Sequence, residues 1–342
     1  MPQIPRITAL INTYNYGRFV GEAIASVLAQ DVAPGEMEVL VVDDGSTDDT
    51  PEVVARFGEH VRYVRKENGG QASALNVGFA EARGKIVAML DGDDLWLPGK
   101  VRRVLEEFEN HPEAGMVYHD FRCLDIRTNH TWDDNFFRPL SGYIPESLRS
   151  LLDFGGPSTS GIAVRRTAAE KVLPVPESLR IIADFYLGYL IIFVAPVVAL
   201  PERLSILRSH GDNHFNFDDL NSGRLERRWK YMELGVTEWK RWLRARGFDL
   251  DDPTISAFVS RHQLNVEKLR FAVRGARRWE FFHHLRREAQ LFRPFWSVRY
   301  RAFKTAASWA ALLLGYDGYR RAMTAYGASP LMRLRKSWLS GK

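Results

Sequence analysis

The run Ile86-Val87-Ala88-Met89-Leu90 has no polar interruption and stops at Asp91-Gly92-Asp93-Asp94. A short, unbroken apolar segment bounded by Gly84 and Gly92 reads as a strand buried on both faces, as in a parallel sheet. Carboxylates just past such a strand point into the crevice where open α/β sheets bind ligands. Acids this close repel one another unless positive charge lies between them, and hard divalent cations prefer carboxylate oxygens. An acidic turn ahead of the helix near Pro98 accounts for the same residues without a ligand. By itself the segment favours a site only modestly.

The pattern recurs along the first 120 residues. Apolar strands are expected at Ile7–Ile11, Val39–Val42, Val61–Val64 and Gly115–Tyr118, with helical spacing over Phe19–Ala29, Ala72–Ala82 and Pro98–Phe108. Strands alternating with helices imply right-handed crossovers and an α/β fold with a largely parallel sheet. Farther on, Leu179–Phe193 reads as a helix. Val197–Leu200 and Leu204–Leu207 read as two strands paired across a turn at Pro201. Residues 133–139 read as a loop.

Three more strand ends carry polar residues. Asn12-Thr13-Tyr14-Asn15 follows the first strand, and Asp43-Asp44-Gly45-Ser46 the second. Asn68-Gly69-Gly70-Gln71 opens the helix that contains Asn76. Each alone also fits a turn or a helix cap. Neither G-x-G-x-x-G after the first strand nor a P-loop is present.

The charge is divided. Residues 1–215 hold 21 Lys and Arg against 30 Asp and Glu, whereas 216–342 hold 26 against 12. A net of −9 followed by +14 suggests that the second part faces something anionic. There the pattern turns to long helices, over 225–246, 255–275, 276–292 and 298–314, with many aromatic residues among the arginines. They read either as a membrane-surface face or as a bundle with a solvated basic side. Nucleic acid is disfavoured, because no nucleic-acid motif accompanies the charge. A single cysteine, Cys123, permits no internal disulfide. Neither a leader-like start nor a run of about 18 apolar residues is present. A cytoplasmic protein is expected, with a peripheral place on the inner membrane face left open.

Together, "TALINTYNYGRFVGEAIASVLAQ", "MEVLVVDDGSTDDTPEVV", "KENGGQASALNVGFAEARGKIVAMLDGDDLWLP" and "GPSTSGIAVRR" resemble the family 2 inverting glycosyltransferases in string, order and spacing. The resemblance covers roughly residues 5–215 and implies a GT-A fold, a Rossmann-like sheet flanked by helices. It makes 1–215 a nucleotide-sugar-binding catalytic domain and 216–342 a basic α-helical extension.

The resemblance also assigns roles. Thr13, Tyr14, Asn15, Asp43 and Asp44 would surround the nucleoside, with Asn68, Gly69, Gln71 and Asn76 in the adjoining loop and helix. Asp91 and Asp93 would serve the ribose and diphosphate, and Arg208 would clamp phosphate. Mg²⁺ or Mn²⁺ would be held by Asp93 and Asp94, with His210 of Arg208-Ser209-His210-Gly211-Asp212-Asn213 as an imidazole ligand. Asp184 would be the general base. Many relatives carry a Glu-Asp pair there, and this chain has Ala183-Asp184, which leaves Asp184 alone. The implied partners are a nucleotide-sugar donor, expected to be UDP-linked, and a glycan or lipid-linked acceptor; an oligomer is open. A sugar-phosphate nucleotidyltransferase and a non-catalytic nucleotide-sugar module remain alternatives.

Overall fold

The computed structural model describes residues 4–133, 139–211, 213 and 222–327. The chain folds as two compact units, Met1–Asn216 and Phe217–Lys342. The expected boundary at 215/216, most of the expected loop at 133–139, and Asp212 lie outside the described residues.

Among the described residues, the first unit holds nine strands in one sheet: β1 (Ile7–Thr13), β2 (Met37–Asp43), β3 (Arg62–Arg65), β4 (Ile86–Asp91), β5 (Leu95–Trp96), β6 (Met116–Asp125), β7 (His130–Asp133), β8 (Ile162–Arg165) and β9 (Val197–Ser209). Their order is β3-β2-β1-β4-β8-β6-β9-β5, with β7 paired to β6. The helices of this unit are α1 (Gly17–Leu28), α2 (Thr50–Ala55), α3 (Gln71–Glu81), α4 (Lys100–Asn110), α5 (Leu148–Asp153), α6 (Arg166–Ala169) and α7 (Ala183–Ile191). The unbroken apolar runs are explained by burial: Ile7, Ala9, Leu10, Ile11, Leu40, Val41, Val42, Val87, Met89 and Leu90 are fully enclosed. Burying each such Leu, Ile or Val contributes roughly 1.5–3 kcal/mol.

Strand direction gathers the site. Strands β3, β2, β1 and β4 are parallel, so the segments following β1, β2 and β4 share one edge. Strand β8 runs antiparallel to β4, with Ala88 opposite Ala163 and Ile86 opposite Arg165. Residues just before β8 therefore arrive at the edge where β4 ends. Strand β6 is antiparallel to β8, and β9 is parallel to β6, so the end of β9 reaches that edge too. The two strands expected around Pro201 are instead one strand, Val197–Ser209. It stays paired with β6 because the ladder shifts register between His119 and Phe121, absorbing the irregular stretch that contains Pro201.

The second unit contains α8 (Ser222–Ala245), α9 (Pro253–Arg274), α10 (Arg278–Phe292) and α11 (Val298–Gly327). Phe271, Phe281, Leu285 and Ala311 form a core shared by α9, α10 and α11. Helix α11 is broken at Gly315, whose φ of 71° and ψ of 179° are not helical. Among the described residues, no helix is long and apolar enough to cross a membrane.

Candidate active site

The shared edge brings together Thr13, Asp43, Asp44, Asp91, Asp93 and Asp94, at or just past strand ends, and Thr159 and Ser160, which precede a strand. Several of these side chains hold the site's shape.

Asp44 is buried and organises the glycine loop. Its Oδ1 accepts hydrogen bonds from Lys66 Nζ at 2.8 Å and the Gly69 amide at 2.9 Å. Its Oδ2 accepts from the Gly70 amide at 2.6 Å and Asn68 Nδ2 at 3.1 Å. Gly70 has φ 88°, and a Cβ there would meet Arg180 at 2.7 Å, so only glycine fits this turn. Asp43 is also enclosed: Oδ1 takes the amide and hydroxyl of Ser46 at 2.8 and 2.6 Å, and Oδ2 takes the Tyr63 hydroxyl at 2.5 Å. Asn15, at φ 54°, joins the first two loops, donating its amide to Ser46 Oγ at 2.8 Å and accepting from the Thr47 amide at 2.8 Å. Asn76 pairs with the backbone of Val175 through both amide atoms, each at 2.8 Å. Tyr14 is 40% exposed at the rim. Thr13 and Asn12 are buried, and the Thr13 hydroxyl and both Asn12 amide atoms have no hydrogen-bond partner. Buried polar atoms left in this state at a cleft edge are what a polar ligand would satisfy.

The acids behave differently from one another. Asp94 is buried, with Oδ1 on the Arg208 amide at 3.0 Å and Oδ2 on Ser160 Oγ at 2.6 Å. Burial, then the nearby Asp93 charge, pushes its carboxyl up to about 7. Behind it, fully buried Lys100 donates to Ser160 O at 2.6 Å and Ser205 Oγ at 3.2 Å, which fixes Ser160. Asp93 Oδ2 lies 3.0 Å from His210 Nε2 and accepts from Asn213 Nδ2 at 3.1 Å. The Tyr16 hydroxyl also bonds Asp93, and burial with the surrounding carboxylates holds that phenol well above its usual range. Asp91 is raised well above the carboxylate range, first by burial and then by Asp93, Asp94 and Asp184.

Asp184 lies in the first turn of α7. Its Oδ2 accepts both the amide and the hydroxyl of Thr159, at 3.1 and 3.0 Å, and Oδ1 accepts the Phe185 amide at 2.8 Å. Burial lifts its pKa above the ordinary value, against those three bonds. Asp91 is near enough to this pair that the Asp184 charge raises its carboxyl and the Thr159 side chain lowers it. Gln71 braces the same corner, donating Nε2 to Thr159 Oγ1 at 3.3 Å and accepting the Ala183 amide at 2.9 Å. The preceding Ile182 has φ 71°, a strained conformation for a β-branched residue and one that recurs beside functional groups.

Two expectations from the sequence change. Among the described residues, no three His, Cys, Asp or Glu side chains converge as a metal site, so Asp93, Asp94 and His210 do not form a cage. Asp94 spends both oxygens on Arg208 and Ser160, while His210 directs Nε2 at Asp93 and Nδ1 at Arg18 Nη2, 3.3 Å away. Cations of the Mg²⁺ kind commonly take one or two carboxylates and complete their shell with substrate phosphates and water. Asp91, raised by burial and by the carboxylates around it, is placed as such an arrangement needs. Arg208 is no open phosphate clamp: it is buried, bonding Glu22, the Asp93 carbonyl and, at 3.3 Å, the Phe19 carbonyl. Sequence reasoning missed Tyr16, Lys66, Thr159 and Ser160 as individual residues, although all lie inside the strings that carried the resemblance.

A mixed sheet whose strand ends gather acids, a glycine loop and a helix-start carboxylate defines a GT-A-type fold. Residues 8–173, within the first unit, match the family model "Glycosyl transferase family 2". An uncharacterised glycosyltransferase of Nostoc sp. is 36% identical over 219 residues, covering 61% of this chain and 66% of the relative. Another from Rickettsia typhi is 33% identical, covering 42% of this chain and 44% of its own length. The chain thus spans two thirds or less of these relatives. In fold, it is similar to the crystal structure of S. aureus TarS 1-349 with UDP-GlcNAc, at TM-score 0.62, 17% identity and coverage of 93% and 92%. The mannosyltransferase PcManGT of Pyrobaculum calidifontis, in complex with GDP-Man and Mn²⁺, has TM-score 0.58 at 20% identity, covering 94% of this chain and 84% of its own.

Proposed function

We propose that residues 1–215 form the catalytic domain of an inverting glycosyltransferase. It would move a sugar from a nucleoside diphosphate donor, a UDP-sugar, to an acceptor hydroxyl on a glycan or lipid-linked glycan. The observation that carries the reading is Asp184, held by Thr159 and within charge range of Asp91, at the edge where β1, β2 and β4 end. The UDP-GlcNAc complex of TarS supports a UDP donor, and the Mn²⁺ complex of PcManGT supports a metal.

In this reading Asp184 removes the acceptor's proton as the hydroxyl attacks the sugar from the face opposite the leaving group. Attack from that face inverts the anomeric centre. Thr159 and the Phe185 amide aim the carboxylate and favour its ionised form. The free Thr13 and Asn12 groups meet the nucleoside, with Tyr14 at its rim. Asp44 acts indirectly by presenting the Gly69–Gly70 backbone. Asp93 and Asp91 would hold a divalent cation, which when bound supplies positive charge to the departing diphosphate.

The test is UDP and GDP release from a panel of nucleotide sugars with Mg²⁺ or Mn²⁺, with glycan and lipid-linked acceptors. The expected result is acceptor-stimulated release from a UDP-sugar. Absence of release from every donor would overturn the assignment.

A further inference from the structure

The second unit has a cavity of about 660 Å³ between the end of α9, the start of α10 and the break in α11. Arg270, Arg274, Arg277 and Arg278 line it, together with Glu280 and Asp317. Glu280 is occupied in capping α10, accepting the Arg277 amide at 3.0 Å. Arg270 lies over the Phe271 ring at 5.0 Å, and Arg274 over Trp229 at 4.5 Å. Among the described residues, none of the four has a carboxylate within ion-pair distance.

The helix field divides these exposed and half-exposed side chains into two it favours and two it opposes. Arg270 and Arg274 stand in the last turns of α9, where a cation is favourable. Arg277 and Arg278 stand at the first residues of α10, the positive end, where a cation is unfavourable. Four guanidinium groups on one cavity, two of them against a helix dipole, are offset by a bound anion. Gly315 helps make the space. Its φ of 71° breaks α11 beside Arg278, and Leu314 and Tyr316 on either side of the break line the cavity wall. Leu314 in the wall is 50% exposed, and two chain neighbours of lining residues, Leu313 and Trp279, are 73% and 59% exposed.

We propose that this cavity is a binding site for a phosphate group, separate from the nucleotide-sugar site. The guanidinium fork matches phosphate geometry through paired N–H donors. The phosphate can belong to a water-soluble molecule or to a lipid headgroup, and the exposed leucines and tryptophan are the reason to test the lipid.

The full chain is used, in metal-free buffer so that the acidic site does not contribute. Calorimetry measures inorganic phosphate binding. Sedimentation compares vesicles of phosphatidylcholine alone with vesicles containing phosphatidylglycerol. The expected result is that the wild type binds phosphate, phosphatidylglycerol vesicles, or both, and that Arg277→Gln with Arg278→Gln weakens this at least about tenfold. Phosphate binding without vesicle binding assigns a soluble ligand, and binding restricted to phosphatidylglycerol vesicles assigns a lipid headgroup. UDP affinity with Mn²⁺ stays unchanged in the double variant, so a failure here is distinct from a failure of the catalytic reading. Arg270→Gln, away from the start of α10, weakens the same binding and serves if the double variant does not fold. Absence of both kinds of binding, or equal binding by wild type and variants, would overturn the proposal.

Discussion

Thr159 donates its backbone amide and its hydroxyl to the same oxygen of Asp184, at 3.1 and 3.0 Å. A carboxylate held this way keeps its other lone pairs in a fixed direction, as a general base requires. The Asp184→Asn variant is therefore expected to lose transfer by about 10² to 10⁴-fold. Its affinity for UDP with Mn²⁺ should stay near the wild-type value by calorimetry. A large drop in UDP affinity would show that Asp184 serves donor binding.

The same pair sets a pH dependence. Asp184 must be ionised to accept a proton, and burial raises its pKa. Activity should rise with pH along an acidic limb lying above the ordinary carboxylate range. A donor to the ionised form lowers the pKa, so Thr159→Val should move that limb to higher pH. The kcat/KM profile against pH checks this; a limb that stays in place removes Asp184 from the base role.

Divalent metal should be required. A chelator should stop transfer, and Mg²⁺ or Mn²⁺ should restore it. Asp93→Ala should weaken metal-dependent UDP binding at least about tenfold, while metal-free binding changes little. Calorimetry giving equal UDP–Mn²⁺ affinity in the variant would refute the metal assignment.

Asp44 makes a stability prediction. Its removal takes the carboxylate from Lys66, 17% exposed, and strands two loop amides that now bond it. Breaking such a buried pair costs about 3–5 kcal/mol. Asp44→Ala should lower the urea midpoint accordingly, and Gly70→Ala should lower it too, because of the contact with Arg180. An unchanged midpoint in Asp44→Ala would mean that the 66–70 loop is held by other contacts.

Much of the first unit was legible because unbroken apolar runs end where the sheet ends. Ile7–Ile11, Val39–Val42 and Ile86–Leu90 are enclosed strands, and the acids beyond them share one edge. What could not be read locally was the division of labour. Asp44, Asn76 and Asp94 look like ligand-binding residues in one dimension, yet their partners are Gly70, Val175 and Arg208, distant in sequence. Strand β9 looked like two strands because Pro201 marks a turn unless a neighbour's register shift accommodates it. Ile182 gave no warning of its left-handed backbone, since β-branched residues rarely adopt it.

The antiparallel placement of β8 has a consequence for synthesis. Chains fold as they emerge, beginning with their N-terminal segments. The first four strands and all three acids of the 91–94 turn leave the ribosome well before Ser160, 66 residues after Asp94, and Arg208, 114 residues after it. Until those residues arrive, Asp94 has neither its hydroxyl nor its amide donor. A chain cut short before β9 would leave Asp94 without the Arg208 amide, beside the Asp93 charge that already opposes its ionisation.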